Sequence, residues 1–225
     1  MKIILRLSLA LVLCSVLAAA ILASVARLTQ DARAQAAKAV KMTAIGGVLP
    51  PYDDLQEAGN LETADGRQAT FYRALQAGRL VGIAAETASA KGYGGQVTLL
   101  VGFNPDRTVR AVVTVAHNET PGLGSAVLER TASRTLADVL RRTPPPAGLP
   151  ANRYLDQFTG QTLATTPDAW RVRQDDGTLD AVSGATVSSR AAADAVQALA
   201  RILAQHQDTL FAPPPAGTAA AQGRD

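Results

Sequence analysis

The chain has 225 residues, of which 22 are Lys or Arg and 19 are Asp or Glu, for a formal net charge of +3. Three of the basic residues, Lys2, Arg6 and Arg27, flank an N-terminal apolar run, and taking them from the 22 leaves 19 to balance the 19 acids. Because the rest of the chain is neutral, it lacks the positive surface that phosphate-backbone binding needs, and the composition excludes a nucleic acid partner.

The N-terminal apolar run covers residues 7–26 and contains no charged residue. As a helix, these residues would span about 30 Å, the thickness of a bilayer's hydrocarbon core, and we predict an uncleaved transmembrane anchor over 1–27. The Ala-x-Ala pattern at Ala32 and Ala34 leaves a cleaved signal peptide as the alternative. Basic residues lie on both sides of the run, so charge alone leaves the orientation open.

The segment that follows, residues 28–50, is predicted to be a helical connector. It is rich in Ala, Gln and Lys as far as about Met42, and Gly46 and Gly47, then Pro50 and Pro51, end the helix. Residues 51–210 form the predicted domain. Strand patterns at 70–76, 80–87, 96–103 and 108–117 alternate with short turn-like segments, which predicts an antiparallel meander. Helices are predicted over 126–142 and 188–207. We therefore expect an α+β fold with an antiparallel sheet covered by helices, and a disordered tail over 211–225.

The segment 180–189 directly precedes the last predicted helix and reads Asp-Ala-Val-Ser-Gly-Ala-Thr-Val-Ser-Ser. A helix start offers unpaired backbone N–H groups and the positive end of the helix dipole. Gly184 and Ala185 permit close backbone approach, so the segment is suited to hold a phosphate group. The alternative is an ordinary helix start that Ser188 or Ser189 caps.

Two further segments contain residues that could contact a ligand. Residues 117–124, His-Asn-Glu-Thr-Pro-Gly-Leu-Gly, follow the last predicted strand, and residues 92–95, Gly-Tyr-Gly-Gly, lie between the second and third. By itself, the first segment predicts only a turn at Pro121 and Gly122. The single cysteine, Cys14, lies in the apolar run, and the only histidines are His117 and His206. No iron–sulfur, haem or histidine-rich metal site is expected, so a redox role would need an organic cofactor.

The three segments together resemble, in order and spacing, the FMN-binding domain of the G subunit of the Rnf electron transport complex. The C subunit of sodium-translocating NADH:quinone reductase is a more distant relative. Residues 180–189 also resemble the motif that bacterial flavin transferases recognise, in which a threonine accepts an FMN phosphoryl group from FAD. The resemblance covers approximately residues 1–205, and three motifs in the same order make it specific.

The resemblance implies a flavin cofactor, FMN, linked covalently through its phosphate to Thr186. Of the implied site residues, one group would surround the phosphate and the other the isoalloxazine ring, with no catalytic residue and no metal ligand. The first group is Ser183, Gly184, Ala185 and Ser188, and the second is Glu119, Thr120, Gly122, Leu123, Tyr93, Gly94 and Gly95. Trp170 and Tyr154 are expected in the core, because buried aromatic side chains more often pack there than against a ligand.

The function that the resemblance implies is electron transfer within a membrane-bound, ion-motive ferredoxin:NAD oxidoreductase complex of the Rnf type. Such a subunit would be anchored once in the cell inner membrane, with its domain in the periplasm. Its partners would be other membrane subunits and, during maturation, a flavin transferase, and no turnover is expected in isolation. Two alternatives stay open: a free-standing periplasmic flavin reductase, and a non-catalytic exported envelope protein.

Overall fold

The computed structural model describes residues 2–62, 66–131, 148–163 and 169–212. The fold is α+β, as predicted, with a long N-terminal helix followed by an antiparallel sheet and further helices. The chain divides into two compact units, Met1–Met42 and Thr43–Asp225. The sheet belongs to the second unit, and so do the two cavities described in the later sections.

The first helix, α1, covers Lys2–Val48. Within the described residues it is the one helix that is long and apolar enough to cross a membrane, although a signal sequence near the N-terminus shares these properties. The helix continues past Met42 through both glycines and ends at Val48, before Pro50 and Pro51. Ile45 and Val48 are fully buried in a hydrophobic cluster with one face of the sheet, and this packing outweighs the cost of about 1 kcal/mol for each helical glycine.

The sheet has five strands in the order β1-β2-β3-β4-β5, and each neighbouring pair is antiparallel. The predicted meander is therefore confirmed for the four strands that the sequence indicated. The strands are β1 Asp54–Glu62, β2 Gln68–Gln76, β3 Arg79–Gly92, β4 Gly95–Phe103 and β5 Val109–Ala116. The sequence pattern missed β1 and ended β3 five residues early, at Thr87.

The main core lies between one face of the sheet and helix α3, which covers Thr186–Gln205. Phe71, Ile83 and Leu99 from three neighbouring strands are completely buried there, together with Val196 and Leu199 of the helix. Such burial contributes about 1.5–3 kcal/mol for each large apolar side chain, so this layer holds α3, and with it Thr186, against the sheet.

Buried aromatic side chains extend the core beyond the sheet. Tyr154 and Trp170 are each 1% exposed, as expected for core residues. Both contact Phe158 edge to face, with ring centroids 5.9 Å apart for Tyr154 and 6.3 Å apart for Trp170. The indole of Trp170 also lines a small cavity beside α3.

Two predictions for the later part of the chain need correction. The helix predicted over 126–142 is helical only as far as Leu128, because α2 covers Gly124–Leu128 and Glu129 is extended, with φ −87° and ψ 135°. Residues 132–147 lie outside the described residues. A short helix, α4, covers Gln207–Leu210, and Phe211 packs against the core, so the described start of the predicted tail is ordered. Residues 213–225 lie outside the described residues.

Candidate functional site

Helix α3 begins at Thr186, two residues earlier than predicted, after a tight turn. The Ala185 N–H donates to the Val182 carbonyl over 3.0 Å, which places Ser183 and Gly184 at the centre of the turn. Gly184 has φ +78°, the value that the third residue of a type II turn needs and that other residues adopt only with strain. The glycine in the sequence motif therefore sets the shape of the chain immediately before Thr186.

Neither serine after Thr186 caps the helix. The N-cap residue is Ala185, and no side chain hydrogen-bonds there. Ser189 Oγ accepts from the Val182 N–H and donates to the Ala185 carbonyl, whereas Ser188 Oγ donates to Glu119 Oε2 over 2.8 Å. The alternative interpretation, a serine-capped helix start, is therefore wrong.

The uncapped start leaves polar groups available. Among the described residues, the backbone N–H groups of Thr186, Val187 and Ser188 have no acceptor, and the Thr186 hydroxyl makes no hydrogen bond. These amides point along the positive end of the dipole of a 20-residue helix. Such an arrangement favours an anionic group beside Thr186, and a phosphate group meets this requirement.

A buried carboxylate, that of Glu119, lies next to this helix start. Glu119 is 6% exposed, and its backbone N–H donates to His117 Nδ1 over 3.2 Å. Its Oε2 accepts from Ser188, whereas its Oε1 has no hydrogen-bond partner within the described chain. A buried acceptor without a donor costs about 1–3 kcal/mol, so Oε1 is a position where a ligand N–H or O–H group would be stabilising.

Two glycines make room for this carboxylate. A Cβ atom built on Gly92 would lie 2.6 Å from Glu119 Oε1, and one built on Gly124 would overlap Oε2. Real Cβ atoms do not approach other atoms so closely, so any larger residue at either position would displace the carboxylate. The segments that the sequence picked out as separate motifs thus meet around Glu119.

The glycine-rich segment 92–95 forms the tight turn between β3 and β4, where Gly92 pairs with Gly95. Gly94 packs against the backbone of Asn118 so closely that a Cβ atom would overlap its carbonyl oxygen. Gly95 has φ +111°. This packing fixes the turn on the loop that carries Glu119, and it leaves the Tyr93 side chain 76% exposed.

The three segments enclose a cavity of about 540 Å³, which lies within the range of about 300–1,000 Å³ that is typical of small-molecule sites. Eight of the twelve predicted site residues line it. The lining consists of Tyr93, Glu119, Thr120, Leu123, Gly124, Gly184, Ala185, Thr186, Val187 and Ser188.

Four predicted site residues do not line the cavity: Ser183, Gly122, Gly94 and Gly95. They shape its walls instead, since Ser183 lies in the turn before α3 and the Gly122 N–H donates to Ser125 Oγ over 2.9 Å. Gly124 and Val187 line the cavity and were not predicted, although each lies inside a motif that the sequence showed. Sequence reasoning could have found them by taking every residue of the two motifs.

Two side chains that do not line the cavity, those of Gln157 and Tyr154, also hold the loop before α3 and the first turn of the helix. The side-chain amide of Gln157 pairs with the backbone of Asp180, since Oε1 accepts from its N–H over 2.7 Å and Nε2 donates to its carbonyl over 3.0 Å. The Tyr154 hydroxyl donates to the Ser189 carbonyl over 2.6 Å, and burial raises the pKa of Tyr154, so the phenol stays protonated and keeps this donor. Thr186 is therefore positioned by the fold before any ligand binds.

Among the described residues, the cavity is lined by one carboxylate, several hydroxyl groups and apolar side chains, and by no lysine, arginine or histidine. Leu123 is 52% exposed and Val187 is 43% exposed, and both are large apolar side chains. In the part of the chain that the structure describes, no group of three or more His, Cys, Asp or Glu residues is placed to hold a metal ion. The arrangement suits an organic ligand with an anionic end at α3 and an apolar part near Leu123 and Val187.

Comparison with known proteins identifies relatives of this chain. Residues 92–201 match the FMN-binding domain family. Three relatives are each named as the G subunit of an ion-translocating oxidoreductase complex. The Shewanella oneidensis protein is 34% identical over 161 residues, 71% of this chain and 66% of the relative. A Vibrio cholerae serotype O1 protein is 34% identical over 64% of this chain and 59% of its own length. The Aliivibrio fischeri protein is 28% identical over 92% of this chain and 93% of its own length. In the first two alignments, the chain spans less than two thirds of the relative's length.

Proposed function

The chain belongs to the FMN-binding domain family, and on this basis we propose that it is an electron-transfer subunit of a membrane-bound, ion-translocating oxidoreductase complex of the Rnf type. We further propose that it carries FMN covalently, through a phosphoester to Thr186. The observation that carries the proposal is the Thr186 hydroxyl, which has no hydrogen-bond partner in the described chain and lines a cavity at the uncapped start of α3.

The residues around Thr186 fit a phosphoester at this position. The unbonded amides of Thr186, Val187 and Ser188 would hold the phosphate oxygens, and Gly184 keeps the approach open because only Leu123 lies near a Cβ position there. A threonine hydroxyl is a weak nucleophile, and the lining offers no histidine or lysine to activate it. Attachment would therefore depend on an external flavin transferase, whose own base takes the hydroxyl proton as AMP leaves from FAD.

The remaining lining residues would bind and orient the rest of the cofactor. When bound, FMN supplies reversible one-electron and two-electron transfer. Glu119 Oε1 would accept a hydrogen bond from a ligand N–H or O–H group, and Leu123, Val187 and Tyr93 would pack against apolar surface. Glu119 is held in place by Ser188, so this acceptor is positioned in advance.

We also propose where the protein lies in the cell and which proteins it binds. The apolar first part of α1 would cross the cell inner membrane once, with the domain on the periplasmic side, and the partners would be the other membrane subunits of the complex. A covalent link suits an exported redox protein, because a cofactor that dissociated outside the cytoplasm would be hard to replace. Electron exchange between ferredoxin and NAD is the overall reaction that we propose for the complex.

A free-standing flavin reductase is less well supported by the same cavity. Reduction of a small substrate would call for ionisable groups near the ligand, and Glu119 is the single carboxylate that the described part of the chain contributes to the lining. A non-catalytic envelope protein would give no reason for a helix start without a side-chain cap beside a buried carboxylate that lacks one hydrogen-bond partner.

The attachment can be tested by flavin fluorescence of the denatured protein in a gel, after expression with a flavin transferase. We expect fluorescence from the natural chain and none from Thr186→Ala. Thr120→Ala is the matched control, because it removes another hydroxyl that lines the same cavity and should leave the fluorescence unchanged. Fluorescence of undiminished intensity from Thr186→Ala would show that the flavin is attached elsewhere.

The partners need a separate experiment. Extraction of the membrane in mild detergent and purification through a tag on this chain should recover other integral-membrane subunits together with flavin. Recovery of a flavinylated chain without any membrane partner, under conditions that keep related complexes intact, would instead support the free-standing reductase.

A further inference from the structure

A second cavity, of about 220 Å³, lies beside α3 and shares no lining residue with the first. Its walls come from β3 through Lys91, from the segment that contains Trp170 and Asp175, and from the second and third turns of α3 through Arg190 and Asp194. None of these residues has a place in the proposed flavin site. The cavity is therefore a candidate for a separate ligand.

The two carboxylates in its lining already have donors for every oxygen. Both oxygens of Asp194 are engaged, Oδ1 by Lys91 Nζ at 2.6 Å and Oδ2 by Arg67 at 2.6 Å and by Ser89 at 3.0 Å. Burial alone would raise the pKa of Asp194, but the hydrogen bond from Lys91, the charge of Arg67 and the bond from Ser89 together lower it below its ordinary value. Asp194 is thus an ionised acceptor that is already paired with two cationic side chains and a hydroxyl group.

Asp175 is engaged in the same way. Its Oδ2 and Oδ1 accept from Arg190 Nε at 2.6 Å and from Arg190 Nη2 at 2.7 Å, a two-point pair. The hydrogen bond and the charge of Arg190 lower the pKa of Asp175. Each carboxylate in the lining is therefore already balanced by a cationic side chain.

Donor groups, in contrast, are in excess. Trp170 is 1% exposed, and its indole Nε1–H has no hydrogen-bond acceptor among the residues that the structure describes. Lys91 uses one of its three ammonium hydrogens on Asp194, and Arg190 Nη1 is not used in the pair with Asp175. Lys91 and Arg190 therefore both keep N–H groups that the two carboxylates do not use.

We propose that this second cavity binds a small molecule that bears an oxyanion, a carboxylate or a phosphate, through the Trp170 indole N–H and the Lys91 ammonium group. A ligand with acceptor oxygens complements a lining in which both carboxylates are paired with cations, whereas the indole N–H group has no acceptor in the described chain. The volume suits a group no larger than a single ring with its acid. The proposal does not depend on flavin attachment, because the two cavities have no residue in common.

The chain contains one tryptophan, Trp170, so indole fluorescence reports on this cavity alone. The full chain in detergent, as the Thr186→Ala variant so that no attached flavin absorbs the emission, would be titrated with inorganic phosphate and, separately, with benzoate. Sodium chloride would hold the ionic strength constant. We expect a saturable change in Trp170 emission with at least one of the two anions. Phosphate alone would identify a phosphate-bearing ligand and benzoate alone a carboxylate.

Replacement of Lys91 tests the contact. Lys91→Met should weaken binding about tenfold, the loss expected for one charge-assisted hydrogen bond, while Arg67 and Ser89 continue to hold Asp194. Arg110→Met is the matched control, because it removes an exposed cation from β5 that does not line the cavity. Equal affinities for the Lys91 variant and the natural residue would overturn the proposal.

The contribution of the indole N–H group needs a second measurement, because replacing Trp170 also removes the fluorescent probe. A saturating anion should raise the melting temperature of the chain, and Trp170→Phe should abolish this rise while its own circular dichroism shows a folded domain. The absence of any saturable response up to high millimolar anion, or the same response to chloride, would show that the cavity has no oxyanion site.

Discussion

The hydrogen bond between Ser188 and Glu119 allows the sharpest test of the site's architecture. Ser188→Ala removes the donor to Oε2 and leaves both oxygens of a buried carboxylate without a partner, since Oε1 has none in the described chain. A hydrogen bond to a charged group contributes about 1.5–3 kcal/mol, so we expect the free energy of unfolding to fall by about 2 kcal/mol. For a domain of this size, the melting temperature should fall by about 4–8 °C.

The assay is urea unfolding of the full chain, produced without a flavin transferase and followed by the fluorescence of Trp170. This indole is buried in the same core and reports unfolding of the domain rather than of α1. Ser183→Ala is the control, because Ser183 is exposed and makes no hydrogen bond in the described chain, and it should change stability by less than about 0.5 kcal/mol. The double variant Glu119→Ala/Ser188→Ala should be less destabilised than the sum of the single variants, by at least about 0.5 kcal/mol. If Ser188→Ala proves as stable as Ser183→Ala, the hydrogen bond from Ser188 to Glu119 does not stabilise the domain.

Three further predictions concern the structure around the two cavities. Asp194→Asn should lower stability at neutral pH, because the folded chain lowers the pKa of this carboxyl group and ionised Asp194 therefore stabilises it. The difference should stay full well above pH 4, shrink as the pH falls through the lowered pKa and vanish below it; urea midpoints at several pH values measure it. Gly94→Ala should destabilise the domain by more than about 1 kcal/mol, because its Cβ atom would overlap the Asn118 carbonyl. Gly46→Ala has open space around it in a helix and should stabilise α1. Thermal melts measure both variants, and equal effects would show that Gly94 does not pack against Asn118. Tyr154→Phe should cost about 1 kcal/mol in the same unfolding assay, and no loss would mean that its hydroxyl bond is not formed.

Much of the sheet could be predicted from sequence because β2 to β5 are rich in strand-forming residues between short turns. β1 could not, since Asp54–Glu62 alternates poorly and none of its residues is buried. It becomes a strand by pairing with β2 along its length, with a bulge between Glu57 and Gly59, where Gly59 has φ +104°. β1 is an edge strand, and it forms because it pairs with β2, a contact that the pattern of its own residues does not show.

The two helix errors have opposite causes. The residues after Leu128 have good helix propensity, yet the chain becomes extended at Glu129, and Arg130 instead donates to the carbonyls of Val112 and Pro150. At the end of α1, the helical composition reached only about Met42, but burial of Ile45 and Val48 against the sheet maintains the helix to Val48. Tertiary contacts decided both outcomes, and propensity alone could not reveal them.

The candidate site was predicted more completely than the fold around it, because its residues lie in three short motifs. Eight residues chosen from those motifs line one cavity. The role of Ser188 could not be foreseen: the sequence suggested a helix cap or a phosphate contact, whereas the side chain binds a carboxylate 69 residues earlier in the chain. Only the folded structure brings Ser188 and Glu119 together, and with them the two glycines that admit the carboxylate.

The central claim is that Thr186 carries the flavin, and the intact mass of the protein tests it most directly. After coexpression with a flavin transferase, the chain should gain the mass of FMN less one water, and fragmentation should assign this mass to Thr186. The Thr186→Ala variant should show the polypeptide mass alone. A matured protein without added mass, or with the same addition on a residue other than Thr186, would contradict the account.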